Sequence, residues 1–123
     1  MRRYVLRLTR IALLIGVLLS GTAGASPRAE MAWSMIAEGA VLIDVRTEQE
    51  FMQGHLDSAQ HIPLSEMMNS GLTQFAKDQP IVLYCRTGNR SNIAKQRLIR
   101  QGFTRIYDAG GLDEMRQSLP NRD

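Results

Sequence analysis

The chain has 123 residues, of which 44% are hydrophobic and 22% charged, so it can form one domain with a modest core. Its net charge of +3 does not indicate a nucleic-acid or lipid surface, because four of the 15 basic residues and none of the 12 acidic residues lie in the first 25 positions. The rest of the chain carries 11 basic and 12 acidic residues, a net charge of −1. We therefore expect no nucleic-acid partner, and any attraction for anions has to be local.

The first 25 residues have the three parts of a secretory signal peptide. Four arginines precede an apolar run from Ile11 to Leu19, and the small residues Ala23-Gly24-Ala25 end the segment. The run is shorter than the roughly 20 residues that a membrane-spanning helix needs. We predict a cleavable signal peptide over residues 1–25, a periplasmic location, and a mature domain over residues 26–123 with no stable membrane association after cleavage. The alternative is a signal anchor that is never cut.

Hydrophobic periodicity divides the mature region into alternating helices and strands. Thr47 and Glu50 fit a capping box at the start of one helix, and Gly54 fits its end. The alternation and the short connections predict an α/β fold, with a central parallel sheet flanked by helices. The predicted helices cover residues 26–39, 48–53, 91–101 and 112–119, with two short ones within 63–77 around a turn at 69–71; the predicted strands cover residues 40–45, 60–62, 81–85 and 103–107, and a turn covers residues 108–111.

The only cysteine, Cys85, ends a buried strand and is followed by a polar loop that contains Gly88. Ligands of open α/β sheets bind at this end of a strand. Backbone N–H groups, the start of the helix at Ser91, and the side chains of Arg86 and Arg90 would surround the sulfur and favour the thiolate, which is the nucleophilic form. The pattern indicates a catalytic thiol that handles an anion. Zinc-site spacing and a C-x-x-C pair are both missing, so we expect no metal and no cofactor.

The seven residues from Cys85 to Ser91 resemble the C-x-x-G-x-R-S active-site loop of single-domain rhodaneses, which are sulfurtransferases. Residues 42–46 and 54–59 resemble the amino-terminal signature of that family, and residues 109–112 resemble its carboxyl-terminal signature. The resemblance runs from about Trp33 to about Ser118. Many rhodaneses have a tryptophan where this chain has Met115, although exported one-domain members similar to phage-shock protein E often lack it too. This departure puts the packing of the last helix in doubt rather than the chemistry.

The resemblance implies a single rhodanese-like domain, with helices on both faces of the sheet, that moves sulfur in two steps. Cys85 takes sulfane sulfur from a small donor such as thiosulfate, and the resulting persulfide passes it to cyanide or a thiol. We expect a monomer. Two arginines would hold the sulfonate end of the donor, backbone N–H groups would stabilise the persulfide, and the glycine would let the loop fold closely around it. The serine would cap the helix or donate to the persulfide, and the cap is the role we expect. The implied substrate-binding residues are Arg86, Thr87, Gly88, Asn89, Arg90 and Ser91.

Four polar residues outside this loop are interpreted as structural. Asp44 is expected to bond the turn that follows it and to pair with an arginine, and Arg46 is expected to have a structural role as well. Histidine is the usual base beside a nucleophilic cysteine. However, His55 lies in a Gly-His-Leu turn that is structural in rhodaneses, and His61 lies in a short strand, so we expect neither histidine near Cys85.

Two other functions remain as alternatives. Cysteine-based phosphatases and arsenate reductases also place a cysteine and an arginine around an oxyanion, but with five residues between them. Here four residues separate Cys85 from Arg90, and no aspartate is obviously placed as a general acid. The second alternative is a non-catalytic rhodanese-like module that stores sulfur or binds a partner. Inactive modules usually lose the cysteine, which this chain keeps.

Overall fold

A computed structural model describes residues 24–67 and 72–120, so the predicted signal peptide up to residue 23 and the predicted turn at 69–71 lie outside the described residues. Within the described ranges no helix is long and apolar enough to cross a membrane. The helices are α1 (Pro27–Ala37), α2 (Glu48–Met52), α3 (Asn89–Arg100) and α4 (Leu112–Gln117), with one 3-10 turn at Leu64–Glu66; the strands are β1 (Val41–Asp44), β2 (Gln60–His61), β3 (Ile81–Cys85) and β4 (Ile106–Gly111).

The four strands form one parallel sheet in the order β2-β1-β3-β4. Helix α3 packs on one face, where Ala94 and Leu98 join a buried cluster with Leu83. Helices α1 and α4 cover the other face, where Ala32 and Met115 join a second cluster. The predicted parallel sheet with helices on both faces is therefore confirmed, and the buried residues of β3 explain why its sequence is a continuous apolar run.

Helix α4 is firmly packed although it has a methionine in place of an aromatic residue. Met115 is fully buried, and its backbone carbonyl accepts a hydrogen bond of 2.8 Å from Nε1 of Trp33. Trp33 belongs to α1, so this bond joins the first helix to the last. The doubt about the packing of the final helix is thus resolved.

Residues 63–77 contain less helix than predicted. In the first half of this segment the described residues, 63–67, form one 3-10 turn, Leu64–Glu66. The second predicted helix is wrong, because the chain makes a single turn in which the N–H of Phe75 bonds to the carbonyl of Leu72 at 3.1 Å. One turn already brings both apolar side chains against the core, and so short a segment gains little from further helix.

The last strand is displaced along the chain from its predicted position. It covers Ile106–Gly111 instead of 103–107, and so includes the four residues predicted as a turn. Phe103 is instead buried beside the end of α3, where its N–H bonds to the carbonyl of Leu98. Parallel pairing with β3 then continues as far as Cys85 opposite Gly111, with a bulge after Leu83. Pairing with a central strand therefore outweighs the turn preference of two glycines.

A buried ion pair joins the end of β1 to the end of α2. Asp44 is fully buried and Arg46 is 5% exposed. The Arg46 guanidinium bonds to both oxygens of Asp44, at 2.7–3.0 Å, and to the carbonyl of Gly54 at 2.7 Å. The Asp44 carboxylate also accepts the N–H of Arg46. The predicted structural roles of both residues are confirmed.

Replacing Asp44 with alanine should lower the free energy of unfolding by about 3–5 kcal/mol, because it leaves the Arg46 guanidinium buried without its counter-ion. Urea unfolding followed by circular dichroism measures this loss. Asp57→Ala, at an exposed position, is the matched control and should change stability by less than about 0.5 kcal/mol. A loss below about 1 kcal/mol for Asp44→Ala would contradict the importance of the pair.

Candidate active site

Cys85 is the last residue of β3, and only three residues separate it from the start of α3 at Asn89. Gly88 occupies the N-cap position with a φ of 109°, in the left-handed region that favours glycine. A Cβ at Gly88 would lie 3.3 Å from Cα of Gly110, and one at Gly111 would lie 2.6 Å from the carbonyl oxygen of Arg86. The loop after β3 is thus pressed against the β4–α4 junction, and these glycines permit that contact.

The sulfur of Cys85 lies inside a ring of hydrogen-bond donors. The residue is 1% exposed, and its Sγ accepts the N–H of Gly88 at 2.9 Å. Burial by itself would raise the pKa of the thiol. The Ser91 hydroxyl and the N–H groups of Ser91, Gly88 and Thr87 outweigh it, so the pKa of Cys85 lies below its ordinary value. The loop therefore favours the thiolate.

Ser91 does not have the expected role of a helix cap, and its hydroxyl instead lies beside the sulfur, as in the other role predicted for it. Helix α3 begins at Asn89, two residues before the predicted start, so Ser91 is the third helical residue, and no side chain caps the helix. Its hydroxyl is fully buried, 3.4 Å from the sulfur of Cys85 and 2.7 Å from Oδ1 of Asp108. The carbonyl of Gly88 also lies 3.1 Å from this hydroxyl, so its one hydrogen is shared among several acceptors, one of which is the sulfur of Cys85.

The two arginines of the loop have different surroundings. Arg86 is exposed and forms no ion pair with any residue in the described ranges. Arg90 pairs with Glu50 of α2, and its Nη2 lies 2.8 Å from Oε2 of that residue. This contact with Arg90 lowers the pKa of Glu50 to about 2, so the pair stays ionised at neutral pH. The anion that the sequence suggested for Arg90 is, in the structure, an internal carboxylate.

The other two predicted loop residues, Thr87 and Asn89, have exposed side chains.

Both histidines lie in structural contacts. Each imidazole stacks on Phe51, with Nδ1 of His55 3.0 Å from the carbonyl of Phe51 and Nε2 of His61 2.7 Å from the carbonyl of Arg46. No group of three or more His, Cys, Asp or Glu side chains among the described residues could hold a metal ion.

Sequence reasoning missed two residues that contribute to the site. The guanidinium of Arg28 in α1 is bound to Glu114 and covers Gly110, where a Cβ would lie 2.4 Å from its Cζ. Asp108 accepts the N–H of Gly110 as well as the Ser91 hydroxyl. The pair of glycines indicated a close approach of something to this backbone. Nothing in the pattern identified an arginine 82 positions earlier in the chain.

The whole described domain is similar to known proteins. A protein-family model described as "Rhodanese-like domain" matches residues 28–118. The chain is 33% identical over 96 residues to the thiosulfate sulfurtransferase GlpE of Pseudomonas entomophila, a match that covers 74% of this chain and 84% of the relative. It is 42% identical over 72 residues to the uncharacterized protein YqhL of Bacillus subtilis, covering 58% of this chain and 56% of that protein.

Two solved structures share the fold. A rhodanese with anions from E. coli has a TM-score of 0.58 and 34% sequence identity, and the match covers 62% of this chain and 91% of the other. The human single-domain sulfurtransferase TSTD1 has a TM-score of 0.66 over 80% of this chain and 99% of its own length. Its identity is 22%, so this second likeness concerns the fold alone.

Replacing Ser91 with alanine should raise the pKa of Cys85, because the sulfur loses one of the donors that outweigh its burial. The rate of alkylation by iodoacetamide between pH 5 and 9 reports the thiolate fraction, so the midpoint of its pH profile should move upward. Ser34→Ala, at an exposed position of α1, is the control and should leave the profile unchanged. An unchanged midpoint in Ser91→Ala would show that the backbone N–H groups suffice.

Proposed function

This chain belongs to the rhodanese-like domain family, and on that premise we propose that it transfers sulfane sulfur from thiosulfate, or a similar donor, to cyanide or a thiol through a persulfide on Cys85. Family membership and relatives named as thiosulfate sulfurtransferases support a sulfurtransferase. One observation carries the proposal further: the sulfur of Cys85 is buried and accepts the N–H of Gly88 at 2.9 Å. A sulfur held in this way is suited to carry a negative charge.

In the first step the Cys85 thiolate attacks the outer sulfur of the donor. A bond forms between Sγ and that sulfur, the S–S bond of thiosulfate breaks, and sulfite leaves with the electron pair. In the second step the acceptor attacks the outer sulfur of the persulfide, and Cys85 leaves as the thiolate. Neither step needs a net oxidant or reductant, and one cysteine is sufficient.

The loop residues take distinct parts in this proposal. The N–H groups of Thr87, Gly88 and Ser91 stabilise the anionic sulfur before and after transfer. The exposed guanidinium of Arg86 holds the sulfonate of the donor. Arg90, bound to Glu50, fixes α3 against α2 and adds positive potential near the sulfur. The solved E. coli rhodanese, which is described with anions, is consistent with an anion site in this family.

Intact mass spectrometry tests the proposal directly. Incubation with thiosulfate should add one sulfur atom to the wild-type protein, and cyanide or a thiol should then remove it. Cys85→Ser should gain no sulfur and should lose sulfur transfer down to the background rate, while keeping the circular dichroism spectrum of the wild type. Transfer that persists in Cys85→Ser, or a wild-type protein that takes up no sulfur from thiosulfate, would contradict the proposed reaction.

The proposal also places the reaction in the periplasm, after removal of residues 1–25. The arginine-rich start, the short apolar run and the small residues before Ser26 support it. The protein recovered from a periplasmic extract should therefore have the intact mass of a chain that begins at Ser26. A substitution of Ala23 and Ala25 by larger residues is the control, and should block this cleavage. A full-length mass for the wild type would indicate a retained anchor.

A further inference from the structure

A cleft opens beside the loop that carries Cys85. Its volume is about 280 Å³. A thiosulfate ion has only five heavy atoms and would fill a small part of it. The cleft has three walls: the segment after β1 together with α2, the loop after β3, and α4. The first wall contributes Arg46, Glu50, Gln53 and Gly54. The loop after β3 contributes Arg86, and α4 contributes Leu112, Asp113 and Arg116.

Two of the five charged residues that line the cleft are already neutralised by neighbours. Arg46 is paired with Asp44, and Glu50 is paired with Arg90. The exposed guanidinium groups of Arg86 and Arg116 make no ion pair within the described part of the chain. The exposed carboxylate of Asp113 is the other charge, so the cleft has an excess of one positive charge and two guanidinium groups free to bind an anion.

Arg86 and Arg116 reach the cleft from different parts of the chain. Arg86 follows Cys85 directly. Arg116 extends from α4 across to the end of α2, where its Nη2 lies 3.2 Å from the position that a Cβ of Gly54 would occupy. Gly54 has no Cβ, so the guanidinium can lie over the backbone at that point. The cleft thus contains both the residue next to the sulfur and a second cationic group, Arg116, which lies over the end of α2.

An anionic acceptor is repelled by the negative charge of the persulfide, and these arginines can offset that repulsion. When a thiolate R–S⁻ attacks the outer sulfur of a Cys85 persulfide, both reactants are negatively charged. The R–S–S⁻ bond forms, the bond between the outer sulfur and Sγ breaks, and Cys85 regains its thiolate. A carboxylate on R adds a further negative charge, which repels the persulfide unless a cation binds it. A guanidinium group binds a carboxylate through two parallel hydrogen bonds.

We propose that Arg116, together with Arg86, binds the carboxylate of a small organic thiol that accepts sulfur from Cys85. The inference rests on the proposed sulfur transfer and specifies its second substrate as a carboxylate-bearing thiol. Arg116 then selects the acceptor and has no part in taking sulfur from thiosulfate. This separation can be measured because the two half-reactions occur one after the other.

The test loads the protein with thiosulfate, removes the excess, and follows the loss of one sulfur atom by intact mass. The acceptors are 3-mercaptopropionate and the neutral 2-mercaptoethanol, and comparing their rate ratios between proteins cancels their intrinsic reactivities. Arg116→Ala should slow discharge by 3-mercaptopropionate about fivefold and should change discharge by 2-mercaptoethanol less than about twofold. Arg116→Lys should restore part of the rate, because it returns the charge without the bidentate fork.

Arg105→Ala is the matched control, since Arg105 is an exposed arginine near the amino ends of β3 and β4. It should discharge to both thiols like the wild type. Loading by thiosulfate should be equal in all variants. If Arg116→Ala loads normally but discharges to both thiols like the wild type, or slows both equally, the acceptor site is wrong while the proposed function stands. If the wild type takes up no sulfur, both the proposed function and this inference fail.

Discussion

A negatively charged sulfur can be buried only where hydrogen-bond donors replace the water that it loses. This requirement explains most of the arrangement around Cys85. The donors are backbone N–H groups at the start of α3 and the Ser91 hydroxyl, and they converge only because the loop after β3 turns sharply at Gly88. The same loop packs closely against the β4–α4 junction, and Gly110 and Gly111 allow this contact because they have no Cβ. The chemistry of one atom thus depends on two loops in contact.

The charged side chains around the site, like the sulfur, have polar partners where they are buried. The buried Arg46 lies against Asp44, and the partly buried Arg90 lies against Glu50, so both of these guanidinium groups have a carboxylate partner. The guanidinium groups that remain free among the described residues of the cleft are the exposed ones. The cleft therefore has a net positive charge that a ligand can reach, even though residues 26–123 together have a net charge of −1.

The sequence predicted the elements whose pattern is local. The apolar run that ends at Cys85, the capping box of Thr47 and Glu50, and the alternation of helices and strands all follow from neighbours along the chain, and the structure confirms them. The position of β4 was not predictable in this way, because pairing with β3 overrode the turn preference of Gly110 and Gly111.

Contacts between distant segments escaped prediction for a related reason. Serine often caps helices, and the sequence could not decide between this role and a contact of Ser91 with the sulfur. The fold decides it, because Asp108 approaches from another strand and the hydroxyl lies between Asp108 and Cys85. The contact of Arg28 with the glycine backbone likewise depends on how α1 docks against β4 and α4.

Because Arg28 and Glu114 are 86 positions apart, the surroundings of Cys85 are complete only when nearly the whole domain has folded. An unfolded chain exposes an ordinary thiol, mostly protonated at neutral pH. The lowered pKa of Cys85 is therefore a property of the folded domain, and its thiolate fraction rises only as the last contacts of folding form.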